Sequence, residues 1–129
     1  MKLVIALVVG VLVGAMCAVI VANTLRQRDA YARGLMDVMQ HHYAGLRESV
    51  RARRCEPTAS AHALAQLRAL APDIDAAVFA DDTPEASFRE LSARLVTSLE
   101  HAPPADCAAL APIVQQVGKV CDECHQQYR

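Results

Sequence analysis

The sequence predicts an all-α protein, a four-helix up-down-up-down bundle preceded by one N-terminal transmembrane or signal helix. Three observations predict it. Leu3 to Ala22 is an uninterrupted apolar run, and as a helix about 20 residues reach across the roughly 30 Å hydrocarbon layer of a bilayer. Beyond it, apolar residues recur at helical spacing in four stretches joined by short connections. No stretch reads as a convincing strand, and Ala, Leu, Arg and Gln, all good helix formers, dominate outside the first segment.

The 129 residues divide into 1–22, the anchor or signal peptide, and 23–129, one domain of about 100 residues. That core is small, and with no Trp and two Phe it is poor in bulky apolar side chains, a deficit that a large apolar cofactor would fill. The net charge of −1 implies neither nucleic acid nor a strongly acidic surface as a partner.

A cleaved signal has an apolar region of about 7 to 15 residues and a small-x-small site, whereas here the best site is flanked by Ile20 and Ala22. An uncleaved anchor is therefore favoured, with signal cleavage as the alternative. Met16 before Cys17 is not a lipoprotein box, and Gly10 with Gly14 is a G-x-x-x-G that membrane spans use for pairing and also carry without it. Lys2 precedes the span while Arg26 and Arg28 follow it, a charge pattern opposed to the expected export of the remaining chain.

From about Asn23 to Arg54 one long helix is expected, with Ala32, Leu35, Met36, Met39, Tyr43, Leu46 and Val50 on its buried face. His41 falls opposite that stripe and His42 at its edge, within reach of a cofactor. Arg47, Arg51, Arg53 and Arg54 suit a solvated helix C-terminus, with docking of an acidic partner as the alternative. Glu56-Pro57-Thr58 breaks the helix, and Thr58 or Ser60 is the expected cap of a second one buried through Leu64, Leu67 and Leu70, with His62 exposed in its first turn. Asp73 to Asp82 reads as a connection that returns Ile74, Val78 and Phe79 to the core. Thr83-Pro84-Glu85 starts a third helix buried through Phe88, Leu91, Leu95 and Leu99, ended by His101-Ala102-Pro103-Pro104. The last helix begins near Ala105 or Asp106, and Pro112 predicts a kink or a restart at Ala111.

That helix carries Cys121-Asp122-Glu123-Cys124-His125, and Cys-x-x-Cys-His is the spacing by which a c-type haem is attached. Residues three apart share a helix face, so two thiols can each add to one haem vinyl group while the next residue brings an imidazole to the iron. Cys121 and Cys124 are the expected thioether anchors and His125 the proximal ligand. Two other chemistries use similar residues. A structural zinc site needs four Cys or His ligands, and only Cys107 and His101 lie near the motif. A thioredoxin-like dithiol belongs beside a βαβ pattern, which this sequence does not show.

The chain resembles the cytochrome c′ family, the class II c-type cytochromes. The resemblance rests on Val117-Gly118 before the haem motif, Tyr128-Arg129 after it, the first-helix run Tyr31 to Tyr43, and Glu85-Ala86-Ser87-Phe88 at the start of the third helix. It covers roughly Asp29 to Arg129. It implies one covalently attached haem c, with Met36 over the distal face, Met39 packed on the haem and Arg129 near the proximal histidine. The implied metal ligands are His125 and Met36. If the Met36 sulfur bonds iron, the implied function is electron transfer, without enzyme activity, on the periplasmic face of the bacterial inner membrane. If it only covers the face, the iron is five-coordinate and binds nitric oxide or carbon monoxide. Cleavage of the first segment would instead leave a soluble periplasmic protein. The family also implies redox partner proteins and pairing into a homodimer through the first two helices. The chain departs from it in its short middle, its N-terminal span, and Ala32 with Arg33 beside it where an arginine is usual.

Cys55 and Cys107 are left over. Each lies about 18 or 19 residues, roughly 28 Å of helix, from the haem end on first and last helices that are antiparallel neighbours in such a bundle. In an oxidising compartment a disulfide between them is expected, with two separate core thiols as the alternative.

Overall fold

The computed structural model describes residues 2–79, 82–100 and 104–128, and the side chains of these except 2–6 and 25–29. Among the described residues the chain is all-helical, without a strand. Its elements are α1 (Lys2–Arg51), α2 (Pro57–Leu70), a 3-10 turn (Ala71–Asp73), α3 (Ile74–Val78), α4 (Ala86–Ser98) and α5 (Cys107–Gln127).

Two compact units divide the chain at residues 31 and 32, nine residues beyond the boundary expected at 22. The physical reason lies in where burial begins: Tyr31 is 55% exposed and Leu35 is the first side chain of α1 to be buried. In the first unit Leu7–Thr24 is long and apolar enough to cross a membrane, and stands near the N-terminus as either an anchor or a signal sequence would. Its large side chains from Leu7 to Val21 are all at least half exposed. A lone apolar helix buries nothing of itself, so lipid or another protein surface must cover it.

The second unit has one core. Leu35, Met39 and Leu46 of α1 meet Leu64 and Leu67 of α2, Ile74 and Ala77 of α3, Phe88 and Leu95 of α4, and Leu110, Ile113, Val114, Val117 and Val120 of α5. The stripes expected from periodicity are buried or, at Ala32, Met36, Tyr43, Val50, Leu70 and Phe79, partly buried against the core, with Val78 the exception at 41% exposed. Residues 74–78 form a helix rather than an irregular connection, and at its 3.6-residue period Ala77 takes the inward place beside Ile74.

The ends of the elements depart from expectation for local reasons. α1 stops at Arg51, not Arg54, because Arg53 takes a left-handed conformation, φ 53°. The N–H of Arg53 then donates to Val50 O and that of Arg54 to Ser49 O, closing the helix in a Schellman motif. Pro57 occupies the first helical position of α2, so Glu56 is the cap. Its carboxylate accepts from Thr58 N at 3.1 Å and Ala59 N at 2.6 Å, bonds that hold it below the usual carboxylate range. Thr58 is exposed and Ser60 is buried instead of capping. α4 starts after Pro84, not at it, with Glu85 extended at ψ 151°. α5 is capped by Asp106, whose carboxylate accepts from Ala109 N at 2.9 Å, and it runs through Pro112 without a restart. Pro112 lacks the N–H that would reach Ala108 O, and both residues are exposed, so water can satisfy that carbonyl.

Cys55, just after the α1 turn, and Cys107, at the start of α5, are joined in a disulfide with Cα atoms 5.1 Å apart. Midway along α5, Gly118 faces α1. A Cβ there would overlap the Tyr43 hydroxyl, so glycine lets the two helices approach at this level.

Candidate cofactor-binding site

On α5 the positions Val117, Cys121 and Cys124 recur at intervals of four and three, which places them on one face, with Val120 and His125 at its edges. On α1, Met36, Met39, Gln40 and Tyr43 do the same. These two faces, with Leu67 of α2, Ile74 of α3 and Leu91, Ser92 and Leu95 of α4, line one cleft that opens to solvent. Five of the six site residues expected from the sequence therefore meet in one place. Met39 is buried, Met36, Cys121 and Cys124 are half-buried, and His125 is exposed at the rim. Arg129 lies outside the described residues, as does His101.

Gln40, Tyr43 and Ser92 are the lining residues that the motif reading did not single out. Gln40 and Tyr43 follow Met36 by one and two helical turns, the signal by which they could have been found. Burial raises the Tyr43 phenol above its usual value, opposed by the nearby Arg47 guanidinium.

The thiol chemistry separates the readings of the motif. Burial, followed by the Asp122 and Cys124 charges, pushes the Cys121 thiol up to about 11, and burial also raises Cys124. A redox dithiol needs a stabilised thiolate, and burial in this cleft does the opposite. The zinc reading loses Cys107, which is bonded to Cys55. The cleft itself has mostly apolar walls, two half-buried thiols on one side, and thioether and imidazole groups among its lining side chains.

His42 is not part of this site. It sits between α1 and α2 in a second cluster, its ring 5.5 Å from His41 and 6.5 Å from His62, over a groove lined by Gly45, Ser49, Ala59 and Ser60. Burial, then the His41 and His62 charges, lowers its proton affinity. The helical rotation that put it at the edge of the stripe turns it toward α2 rather than α5.

At the far end of the cleft's helix, Tyr128 caps α5 and its ring meets Phe88 edge-on at 5.0 Å. Its hydroxyl lies 3.2 Å from Glu85 and 2.5 Å from Ser87. Comparison with family models, with curated proteins and with solved structures found no match.

Proposed function

We propose that this chain is a haem c-binding electron-transfer protein, held at the bacterial inner membrane by its N-terminal helix and facing the periplasm. The observation that carries the reading is the convergence of Cys121, Cys124 and His125 with Met36 and Met39 on one apolar cleft. The domain, in this reading, is an up-down-up-down four-helix bundle of the cytochrome c′ type, made by the second half of α1 with α2, α4 and α5. The single core drawn from all four supports it.

A haem held here supplies a one-electron iron couple. Cys121 and Cys124 would hold it covalently, and His125 of α5 and Met36 of α1 would offer it an imidazole and a thioether. The resemblance would make Arg129 the basic residue of the haem's proximal side. Met39, Leu67, Leu91, Leu95, Val117 and Val120 exclude water from the buried edge. Because His125 and Met36 sit on helices tied by a common core, both side chains would be held in place around the group. A thioether donor favours the reduced state and raises the potential. The disulfide is of the kind that persists in oxidising compartments, which supports a periplasmic position for the second unit.

The test is the absorption spectrum of the full-length chain made with haem-attachment machinery, compared with Met36→Ala. A low-spin parent that becomes high-spin in the variant establishes methionine ligation. A parent already high-spin, and shifting on carbon monoxide, would move the function to gas binding at an open distal face.

A further inference from the structure

We propose that Tyr128 is a positioning residue that pins the attachment turn: its hydroxyl fastens the last turn of α5, which carries Cys124 and His125, to the start of α4. The inference rests on the haem reading for its purpose, and on the packing of α5 against α4 for its mechanism.

The need for a pin follows from where the motif stands. His125 is two residues from the end of α5, and the carbonyls of a last helical turn have no helical N–H to meet them. Such turns fray, and a fraying turn would leave an exposed imidazole without a fixed direction. Tyr128 meets this in three ways. Its backbone N–H donates to Cys124 O at 2.9 Å, completing the turn. Its hydroxyl donates to the Glu85 carboxylate at 3.2 Å, which leaves Ser87 Oγ, at 2.5 Å, as a donor to it. Its ring lies edge-to-face on Phe88, itself 1% exposed and edge-to-face with Phe79, ring centroids 4.7 Å apart.

A second tie joins the same helices. Arg94 meets Glu123 at 2.7 Å, with side chains 41% and 34% exposed. Exposed ion pairs of this kind contribute little. The hydroxyl of Tyr128 differs in being held by two partners, Glu85 and the part-buried Ser87, beside a ring packed on the buried Phe88.

Tyr128→Phe keeps the ring on Phe88 and removes only the hydroxyl. In the full-length chain, amide hydrogen exchange at Gln126, Gln127 and Tyr128 is expected to quicken about tenfold, the factor that one charge-assisted hydrogen bond is worth. Exchange at Val114 and Val117 stays as in the parent, which a general loss of stability would not allow. Glu85→Ala gives the same pattern, and Glu85→Gln, which keeps an acceptor, restores most of the protection. In the haem-loaded chain, Tyr128→Phe adds a second low-spin species in electron paramagnetic resonance, because His125 takes more than one orientation. Exchange at the last turn within twofold of the parent overturns the pin and leaves the haem reading intact. A parent chain that takes up no haem overturns the haem purpose, while the exchange comparison still decides the pin.

Discussion

Helix α5 carries a cysteine near each end whose circumstances are opposite. At the start, Cys107 lies across from Cys55, a residue of another segment, and the two thiols have become a cross-link. Near the other end, Cys121 and Cys124 remain free, half-buried and facing an apolar cleft. What differs is the opposing surface. Where a second chain segment brings a thiol, the pair closes a loop and restrains the unfolded chain. Where the opposing surface is mainly methionine and leucine side chains and brings no thiol, burial raises the two cysteines above their usual thiol range.

The sharpest way to break this comparison is to ask which thiols react. In the full-length chain made without haem-attachment machinery and denatured without reductant, Cys17, Cys121 and Cys124 should take up an alkylating reagent completely and Cys55 and Cys107 not at all. Peptide mass spectrometry reads this directly. Made with the machinery, Cys121 and Cys124 should be blocked even after reduction. Alkylation of Cys55 and Cys107 in the unreduced protein would remove one half of the comparison.

The next effect is energetic. Replacing both Cys55 and Cys107 by Ala frees a loop that spans 52 residues, and loop-closure entropy puts the cost at roughly 4 kcal/mol, at the upper end of the usual range. Denaturant unfolding of parent and variant measures it. The substitution should leave haem attachment unchanged, since the attachment residues lie at the other end of α5.

A smaller effect sharpens the cleft end. Gly118→Ala would force its Cβ into the Tyr43 hydroxyl, costing about 1–3 kcal/mol, offset by about 1 kcal/mol gained from helix propensity. Adding Tyr43→Phe removes the hydroxyl and should recover much of the loss. A double-mutant cycle without coupling between the two sites would mean that the helices are not in contact there.

The smallest effect belongs to His42. Its folded proton affinity is lowered, so between the folded pKa and the ordinary value of 6.5 the unfolded chain binds more protons. Stability is therefore full above that value and falls as the pH drops through the window. Unfolding midpoints from pH 7.5 to 5 should show this slope, and His62→Ala, which removes one opposing charge, should flatten it.

Much of this was legible in the sequence, and what was not has local causes. The buried stripes of α1, α2, α4 and α5 follow directly from the spacing of their apolar residues, because helical period alone decides which face turns inward. Cys121, Cys124 and His125 were legible as a motif, and Met36 and Met39 through a family pattern. The caps were misplaced because they depend on single bonds: Glu56 serves because Pro57 takes the first helical place. Val78 and Ala77 exchanged roles because a five-residue helix stands where an irregular connection was expected. His42 turned away from the cleft because α2, a neighbour set by tertiary packing, brings His62 beside it.

The claim at the centre is that the cleft end of α5 exists to hold a covalent haem. The most direct measurement is the absorption spectrum of the full-length protein, made with haem-attachment machinery, after extraction with acidic acetone. The account predicts that the haem bands stay with the chain and are lost when Cys121 and Cys124 are both replaced by Ala. A chain that loses its haem to the solvent, or carries none, would contradict it.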